Sequence, residues 1–224
     1  MLLTGHNHDF MEDPEFMAAY QRGKDGIGDV EYYMHWRIHV FLWAAKHCFR
    51  LGGDFVDCGC GRGFSATVSM KYLDWNSMKL RYFGFDTFSG IDVKYLNEIE
   101  ANSYLMTRPM SRYPDSFEKV KENFSEFNRI HLIKGSIPET LRKGSCHVRI
   151  GKVCFLAIDM NCAVPEIAAA EYFWPKMVSG SMAVLDDYAY HGYQTQKDAF
   201  DAFALRKGIS ILSLPTGQGI YIKP

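Results

Sequence analysis

The sequence predicts an α/β protein in which a mostly parallel, seven-stranded sheet carries helices on both faces and ends in an antiparallel hairpin. From residue 52 onward, short apolar segments alternate with longer amphipathic segments, a pattern typical of parallel strands joined by helices. The last two predicted strands are joined only by residues 215–217. A parallel crossover needs about a dozen residues or more, so these two strands must be antiparallel.

The individual elements follow from their local patterns. Residues 29–50 are predicted to form a helix, because Tyr33, Trp36, Val40 and Trp43 recur at spacings of three and four. Segments rich in β-branched and aromatic residues predict strands at 54–57, 80–86, 130–134, 153–158, 180–185, 209–214 and 218–223. Helices are predicted at 65–73, 115–127, 137–142, 164–177 and 194–207.

Two segments outside this alternation are predicted to differ from the rest. Residues 1–28 are polar, acidic and glycine-containing, which favours a loosely structured or lid-like N-terminus. We therefore divide the chain into an N-terminal helical or lid segment, 1–50, and a ligand-binding domain, 51–224. The long connection 87–114 is predicted to be a lid or a substrate-binding insertion.

Composition narrows the class of partner. The 224 residues have a formal net charge of -1, with Lys and Arg scattered along the chain, so we predict no nucleic-acid partner. No apolar run reaches the roughly 18 residues that span a bilayer, which predicts no membrane association. The first residues lack a basic and then apolar export signal, so we expect a cytoplasmic protein with reduced cysteines.

A glycine-rich bend follows the first strand, at Gly59, Gly61 and Gly63. Glycine there allows positive φ and close approach of a ligand, and the next helix presents free N–H groups. A dinucleotide fingerprint requires Gly-x-Gly-x-x-Gly, but its third glycine position is Phe64. The observed spacing, preceded by the acidic Asp57, is instead the form that cradles the methionine moiety of S-adenosylmethionine.

Asp86 ends the second strand, where an acidic residue accepts hydrogen bonds from ribose hydroxyls in Rossmann-like folds. A solvated loop residue or a helix cap is the alternative for Asp86. The residues predicted to bind the cofactor along these two strands are Asp57, Gly59, Cys60, Gly61, Arg62, Gly63, Asp86 and Thr87. Arg62 either meets the methionine carboxylate or is solvated.

Three further carboxylates end the fourth and fifth strands: Asp159, Asp186 and Asp187. Ligands bind at such carboxyl ends in open α/β sheets. Like charges repel, so a bound cation is the simplest neutraliser, and oxygen ligands favour Mg²⁺, Ca²⁺ or Mn²⁺. Such a metal would hold a substrate hydroxyl and lower its pKa. Alternatively, Asp186 or Asp187 caps the following segment and Asn161 makes a turn.

Five motifs run in the order seen in the macrolide-sugar O-methyltransferases: residues 59–63, 85–90, 134–141, 158–161 and 185–188. Residues 52–224 therefore resemble the TylF/MycF-like family, with its Rossmann-like methyltransferase fold. The resemblance implies S-adenosylmethionine as cofactor and a small hydroxylated acceptor such as a sugar. It also implies Mg²⁺ on Asp159, Asp186 and Asp187, contact of Asp159 and Ser136 with the cofactor, and a homo-oligomer assembled through N-terminal segments.

The sequence departs from that family at the residue proposed as general base, an aspartate whose place is taken by Asn161. A neutral amide cannot be a base, although it can be a metal or substrate ligand. His191 is the candidate for the missing base, because an imidazole pKa near 6.5 suits proton removal at neutral pH. A surface or core histidine is the alternative.

Four hypotheses remain from the sequence. The chain is an O-methyltransferase assisted by a divalent cation, or a metal-independent methyltransferase whose acidic residues are structural. It could instead be a binding protein that keeps the cofactor fold without activity, for which Asn161 is the argument. An NAD-dependent oxidoreductase is opposed by Phe64 and by the terminal hairpin.

Overall fold

The computed structural model describes residues 5–28, 33–102, 117–142 and 149–224 and places seven strands in one sheet. The strands are β1 Asp54–Cys58, β2 Tyr82–Asp86, β3 Ile130–Lys134, β4 Val153–Ile158, β5 Met177–Leu185, β6 Leu212–Ser213 and β7 Gly219–Ile222. Their order is β3-β2-β1-β4-β5-β7-β6. The first five are parallel, whereas β7 is antiparallel to both β5 and β6. The predicted fold class is therefore confirmed, including the terminal hairpin.

Eight α-helices lie in the described ranges: α1 Pro14–Ile27, α2 His35–Cys48, α3 Phe64–Tyr72, α4 Glu98–Ala101, α5 Phe117–Asn123, α6 Glu139–Arg142, α7 Ala163–Phe173 and α8 Gln194–Lys207. Alternate residues of each strand point to opposite faces of the sheet. In β1, Val56 packs in a core with residues of α6, α7 and α8, whereas Phe55 packs in a second core with residues of α2, α3 and α5. Helices thus cover both faces.

The N-terminal segment contains an ordered helix where composition favoured a loose or lid-like structure. Asp13 caps α1 by accepting the N–H of Glu15 at 2.9 Å, and Pro14 occupies the first helical position. Phe16 and Tyr20 pack in a third core cluster with Val68 of α3. The residues that cap the helix can be recognised in the sequence. The polar composition of the segment nevertheless outweighed the apolar residues that recur along one face of the helix. The division at residue 50 stays a prediction.

Other differences lie at the ends of elements. The predicted strand 209–214 shrinks to Leu212–Ser213, because it lies at the sheet edge with exposed side chains and pairs only with β7. The helix predicted at 29–50 begins at His35, and residues 29–32 lie outside the described ranges. So do residues 103–116, which include much of the predicted insertion 87–114. No helix in the described ranges has the length and apolar character needed to cross a bilayer.

The topology gathers the predicted site at one edge of the sheet. The strand order reverses between β1 and β4. From β1 the chain continues to β2 and β3 on one side of the sheet, and from β4 it continues to β5 on the other side. In open α/β sheets a crevice forms outside the carboxyl ends of the strands at this point. Cys58 pairs with Phe85 of β2 on one side and Ile158 of β4 on the other, so these three strands end in step. The residues after each strand therefore share one crevice.

Candidate active site

The glycine turn after β1 adopts the left-handed backbone that its composition predicted. Gly59, Gly61 and Gly63 have φ values of 93°, 55° and 86°. The N–H of Gly59 donates to the carbonyl of Phe85 at 2.7 Å, which ties the turn to the end of β2. A Cβ on Gly59 would lie 1.8 Å from the carbonyl oxygen of Asp159. Only glycine therefore lets the first turn pass so close to the end of β4.

Asp86 holds the same turn from the end of β2. Its Oδ2 accepts the N–H of Gly61 at 2.8 Å, and its Oδ1 accepts the N–H of Phe88 at 2.7 Å. Burial raises the pKa of the Asp86 carboxyl, although these backbone N–H groups act to lower it. Asp86 is therefore a fixed acceptor at the mouth of the crevice, as well as a support for the turn.

A first cavity lies between the carboxyl ends of β2, β3 and β4. Its lining combines apolar side chains with the acceptor Asp86, a mixture that suits a nucleoside better than a charged phosphate. The lining residues are Gly59, Phe85, Asp86, Thr87, Gly90, Ile91, Asp92, Tyr95, Gly135, Ser136, Ile137, Asp159, Met160, Asn161, Cys162 and Pro165.

The outer wall of this cavity is closed by contacts between segments distant in sequence. The hydroxyl of Ser136 donates to Asp92 at 2.5 Å. Lys94 bridges Asp92 and Glu139 at 3.0 and 3.1 Å, and the hydroxyl of Tyr95 donates to Glu139. This network fixes the described start of the 87–114 connection against α6. Sequence reasoning missed it, because each contact to α6 or the turn before it joins residues about 44 positions apart.

A second cavity adjoins the first and extends toward α1 and α2. It is lined by Ile27, Met34, Phe41, Asp57, Gly59, Cys60, Gly61, Arg62, Phe64, Ser65, Asp86, Ala157, Ile158, Asp159, Asn161, Val184 and Asp186. Four residues line both cavities: Gly59, Asp86, Asp159 and Asn161. A ligand in one cavity and a ligand in the other would therefore meet beside Asp159.

The three carboxylates predicted to bind metal lie close together, but an arginine from α2 lies among them. Nη2 of Arg37 forms an ion pair with Oδ2 of Asp186 and lies 3.8 Å from Oδ1 of Asp187. Burial raises the pKa of Asp159, and the charges of Asp186 and Asp187 raise it further. The repulsion predicted from the sequence is thus present, and a guanidinium group partly neutralises it.

Asn161 connects Asp159 to the loop before α8. Its side-chain N–H donates to Oδ1 of Asp159 at 3.0 Å, and its oxygen accepts the hydroxyl of Tyr193 at 2.6 Å. Asn161 has a φ of 56°, a backbone conformation that asparagine tolerates better than most residues. This amide is therefore a positioning group for Asp159.

Asp57 is buried beneath the turn. The hydroxyl of Tyr82 donates to its Oδ2 at 3.0 Å. Burial raises the pKa of Asp57 to about 7, although the Tyr82 hydrogen bond acts against this rise. Asp57 is therefore a buried acceptor directly below the second cavity, which it helps to line.

Comparison with known proteins agrees with this geometry. The family described as Macrocin-O-methyltransferase (TylF) matches residues 47–212. The chain belongs to the TylF family. The match covers the glycine turn, Asp86, Asp159 and both acidic residues after β5, so it includes the strand ends that form the crevice. The resemblance inferred from the motifs is confirmed.

Individual relatives are more distant. One is the 8-demethyl-8-(2,3-dimethoxy-alpha-L-rhamnosyl)-tetracenomycin-C 4'-O-methyltransferase of Streptomyces olivaceus, 24% identical over 181 residues. That alignment covers 75% of this chain but only 65% of the relative. Among solved structures, the O-methyltransferase NovP has a TM-score of 0.70 at 18% identity, with 84% of this chain and 79% of NovP covered. The calicheamicin methyltransferase CalS11 has a TM-score of 0.64 at 15% identity, with 99% of each chain covered. The similarity to these two structures shows the fold of the chain.

Most of the residues predicted from the sequence lie in the crevice of this TylF-family chain. Those that line one or both cavities are Asp57, Gly59, Cys60, Gly61, Arg62, Asp86, Thr87, Ser136, Asp159, Asn161 and Asp186. Gly63 is instead the N-cap of α3, and Asp187 is buried without lining either cavity. Their roles in binding stay predictions.

His191 and Arg62 lie in surroundings that differ from those expected for their predicted roles. His191 is exposed and lines neither cavity, because it lies in the turn that precedes α8, so the structure does not bring the candidate base to the crevice. Arg62 donates to the carbonyl of Ile27 at 3.0 Å, which links the glycine turn to the end of α1. Sequence reasoning also missed Arg37, because nothing in a helical pattern shows which distant acid an arginine will meet.

Proposed function

We propose that this chain is an S-adenosylmethionine-dependent methyltransferase that methylates a hydroxyl group of a small, sugar-like acceptor. The observation that carries the proposal is the shared lining of the two cavities. Adenosine fits the first cavity beside Asp86, and the methionine end fits over the glycine turn. The rest of the second cavity is left for the acceptor.

The acceptor class rests on the relatives. The curated relative from Streptomyces olivaceus methylates a rhamnosyl-bearing tetracenomycin, and CalS11 is described as a TDP-rhamnose 3'-O-methyltransferase. Both act on sugar hydroxyl groups. The second cavity has a mixed lining, which includes the apolar Met34 and Phe41 as well as Asp159 and Asp186. Such a surface can stack against a sugar ring while its carboxylates accept hydrogen bonds from hydroxyls.

The transfer itself is a displacement at the methyl carbon. A lone pair of the acceptor oxygen forms the new O–CH₃ bond, and the C–S bond breaks with its electron pair remaining on sulfur. The hydroxyl proton must leave to a base. Asn161 cannot accept it, and His191 is exposed outside the crevice. We assign the proton to Asp159, which lines both cavities.

Magnesium assistance, which the sequence favoured, stays a prediction, and the arrangement of the predicted ligands does not support it. Both side-chain oxygens of Asp186 accept hydrogen bonds, one from Arg37 and one from Gln218 at 3.2 Å. Within the described residues, no cluster of three or more His, Cys, Asp or Glu side chains has a geometry that could hold a metal ion. The present side-chain positions therefore do not fit the ion.

The first test of the proposed function is cofactor binding. In isothermal titration we expect S-adenosylmethionine and S-adenosylhomocysteine to bind with one site per chain and NADH to show no heat of binding. The reason is that Phe64 replaces the third glycine of a dinucleotide turn. Tight binding of NADH with no binding of S-adenosylhomocysteine would overturn the assignment. Product formation is then followed by mass spectrometry over a panel of nucleotide sugars and glycosides.

The assignment of Asp159 is tested by Asp159→Asn. If it accepts the proton, we expect turnover to fall by about 10²–10⁴-fold, the usual range for loss of a general base. Affinity for S-adenosylhomocysteine should change much less. Turnover of the wild type should rise with pH, because the carboxylate is the active form, with a midpoint above the ordinary aspartate range. Asp198→Asn, at an exposed position of α8, is the control. A turnover within threefold of wild type with an unchanged pH profile would remove Asp159 from this role.

A further inference from the structure

We propose that the guanidinium of Arg37 takes the position and the charge of a divalent cation, so that this crevice works without a bound metal. The inference rests on the proposed function and specifies how its acidic cluster is neutralised. Arg37 belongs to α2, outside the strand ends that supply the carboxylates.

The contacts of Arg37 resemble those of a ligated cation more than those of a surface ion pair. Nη2 donates to both the side chain and the main-chain carbonyl of Asp186, the latter at 2.8 Å. Nη1 donates to the carbonyl of Thr216 at 3.3 Å, and Asp187 lies 3.8 Å from Nη2. One guanidinium thus meets oxygens from the loop that follows β5 and from the terminal hairpin.

Burial makes this contact an integral part of the site. The side chain of Arg37 is 13% exposed and that of Asp186 is 23% exposed. Burial acts to lower the pKa of Arg37, but the charges of Asp186, Asp187 and Asp159 raise it above its ordinary value. The arginine is therefore always charged. Its guanidinium also lies over the ring of Tyr190, 5.2 Å from the centroid, which holds the group in place.

Two more carboxylate oxygens of the cluster are also bound to protein donors. Gln218 donates to Oδ1 of Asp186, and Asn161 donates to Oδ1 of Asp159. At both positions an N–H group lies where a cation would bind. A metal could enter only by displacing Arg37, and a like-charged group within about 4 Å of the ion opposes its binding.

The asparagine at position 161 fits the same scheme. An aspartate there would add a fourth carboxylate beside Asp159, Asp186 and Asp187, whereas a single guanidinium supplies one positive charge instead of two. An amide lowers the negative charge of the cluster by one and donates a hydrogen bond to Asp159. Arg37 and Asn161 together therefore reduce the negative charge of the cluster, as a divalent ion would otherwise do.

The test measures metal binding directly and needs no acceptor. Mn²⁺ is titrated into the chain with S-adenosylhomocysteine present, and free Mn²⁺ is followed by electron paramagnetic resonance. We expect no stoichiometric binding to wild type and at least a tenfold gain in Mn²⁺ affinity in Arg37→Gln, since that change vacates the cation position. Arg50→Gln, an exposed arginine just after α2, should behave as wild type.

Stability gives a second measurement on the same proteins. Arg37→Gln leaves the carboxylates without their counter-charge, so its Tm should fall and should recover in millimolar Mg²⁺, whereas the wild-type Tm should not respond. One Mn²⁺ bound per wild-type chain and lost in Asp186→Asn would overturn the inference. So would a folded Arg37→Gln that gains no affinity for Mn²⁺. Because neither measurement involves turnover, failure to find an acceptor leaves the result interpretable.

Discussion

Replacing Gly59 with alanine is expected to destabilise the fold more than the same replacement at Gly61. A Cβ at residue 59 would lie 1.8 Å from the carbonyl oxygen and 2.5 Å from the carbonyl carbon of Asp159. These are backbone atoms of the neighbouring loop, so no side-chain rotation relieves the clash. The residue also has a φ of 93°, which strains any side chain.

We expect Gly59→Ala to lose roughly 3 kcal/mol or more of unfolding free energy, from backbone strain and displacement of the end of β4. For a chain of this size that lowers Tm by about 6–12 °C. Thermal unfolding followed by circular dichroism measures it. The clash would displace the backbone of both the glycine turn and the end of β4, which line both cavities, so cofactor binding should weaken along with stability.

Gly61→Ala is the matched control, because its Cβ would meet no atom within 4 Å and its φ of 55° lies in the left-handed region. That conformation costs alanine about 1–2 kcal/mol, so the expected fall in Tm is only about 2–8 °C. The open space beside Gly61 is the second cavity, so this variant should fold yet bind S-adenosylhomocysteine at least about tenfold more weakly. Equal melting temperatures for the two variants would contradict the structure of the turn.

Asp86→Ala is expected to cause a large loss of cofactor affinity in a chain that still folds. The carboxylate accepts the N–H groups of Gly61 and Phe88, at 2.8 and 2.7 Å, and lines both cavities. Its loss removes the proposed acceptor for the ribose hydroxyls and also frees the turn that holds the methionine end. Each hydrogen bond to a charged group contributes about 1.5–3 kcal/mol.

Asp86→Ala removes the proposed hydrogen bonds to the two ribose hydroxyls. We therefore expect the dissociation constant of S-adenosylhomocysteine to rise by about 100-fold or more, measured by isothermal titration. Asp86→Asn keeps one acceptor oxygen and should lose less affinity than the alanine variant. Asp198→Ala, on the exposed face of α8, controls for the removal of a carboxylate elsewhere. Affinity within threefold of wild type in a folded Asp86→Ala would show that the nucleoside does not lie in the first cavity.

The acidic cluster shows how much a correct pattern leaves open. The sequence predicted that Asp159, Asp186 and Asp187 would lie together, because parallel strands end at one edge of the sheet, and they do. A bound cation was then inferred from their mutual repulsion. The counter-charge in the structure is Arg37, which lies about 150 positions before Asp186 in a helix whose pattern pointed only to packing. The spacing of residues along the sequence does not predict a contact of this kind.

The N-terminal helix α1 shows a local signal that composition outweighed. Asp13, Pro14 and Glu15 form a recognisable helix start, and buried residues recur along one face from Phe16 to Ile27. The polar and acidic composition of the segment outweighed those local signals in the prediction. The helix is stabilised by packing against α3, where Gly23 lies so close to Val68 that a Cβ would be 2.3 Å from it. Tertiary contact decided the structure of a segment that composition left open.

The sequence by itself determined the alternation of strands and helices, the reversed hairpin, the glycine turn and Asp86 at the end of β2. All of these depend on local rules: side-chain periodicity, loop length, and the backbone freedom of glycine. Only the tertiary structure decided which charge faces the three carboxylates, that His191 lies outside the crevice, and that Asp92 and Ser136 close its outer wall. Those facts depend on how elements distant in sequence pack together, because charged and polar side chains interact with the groups that lie near them in space. No local pattern in a single sequence shows which groups those are.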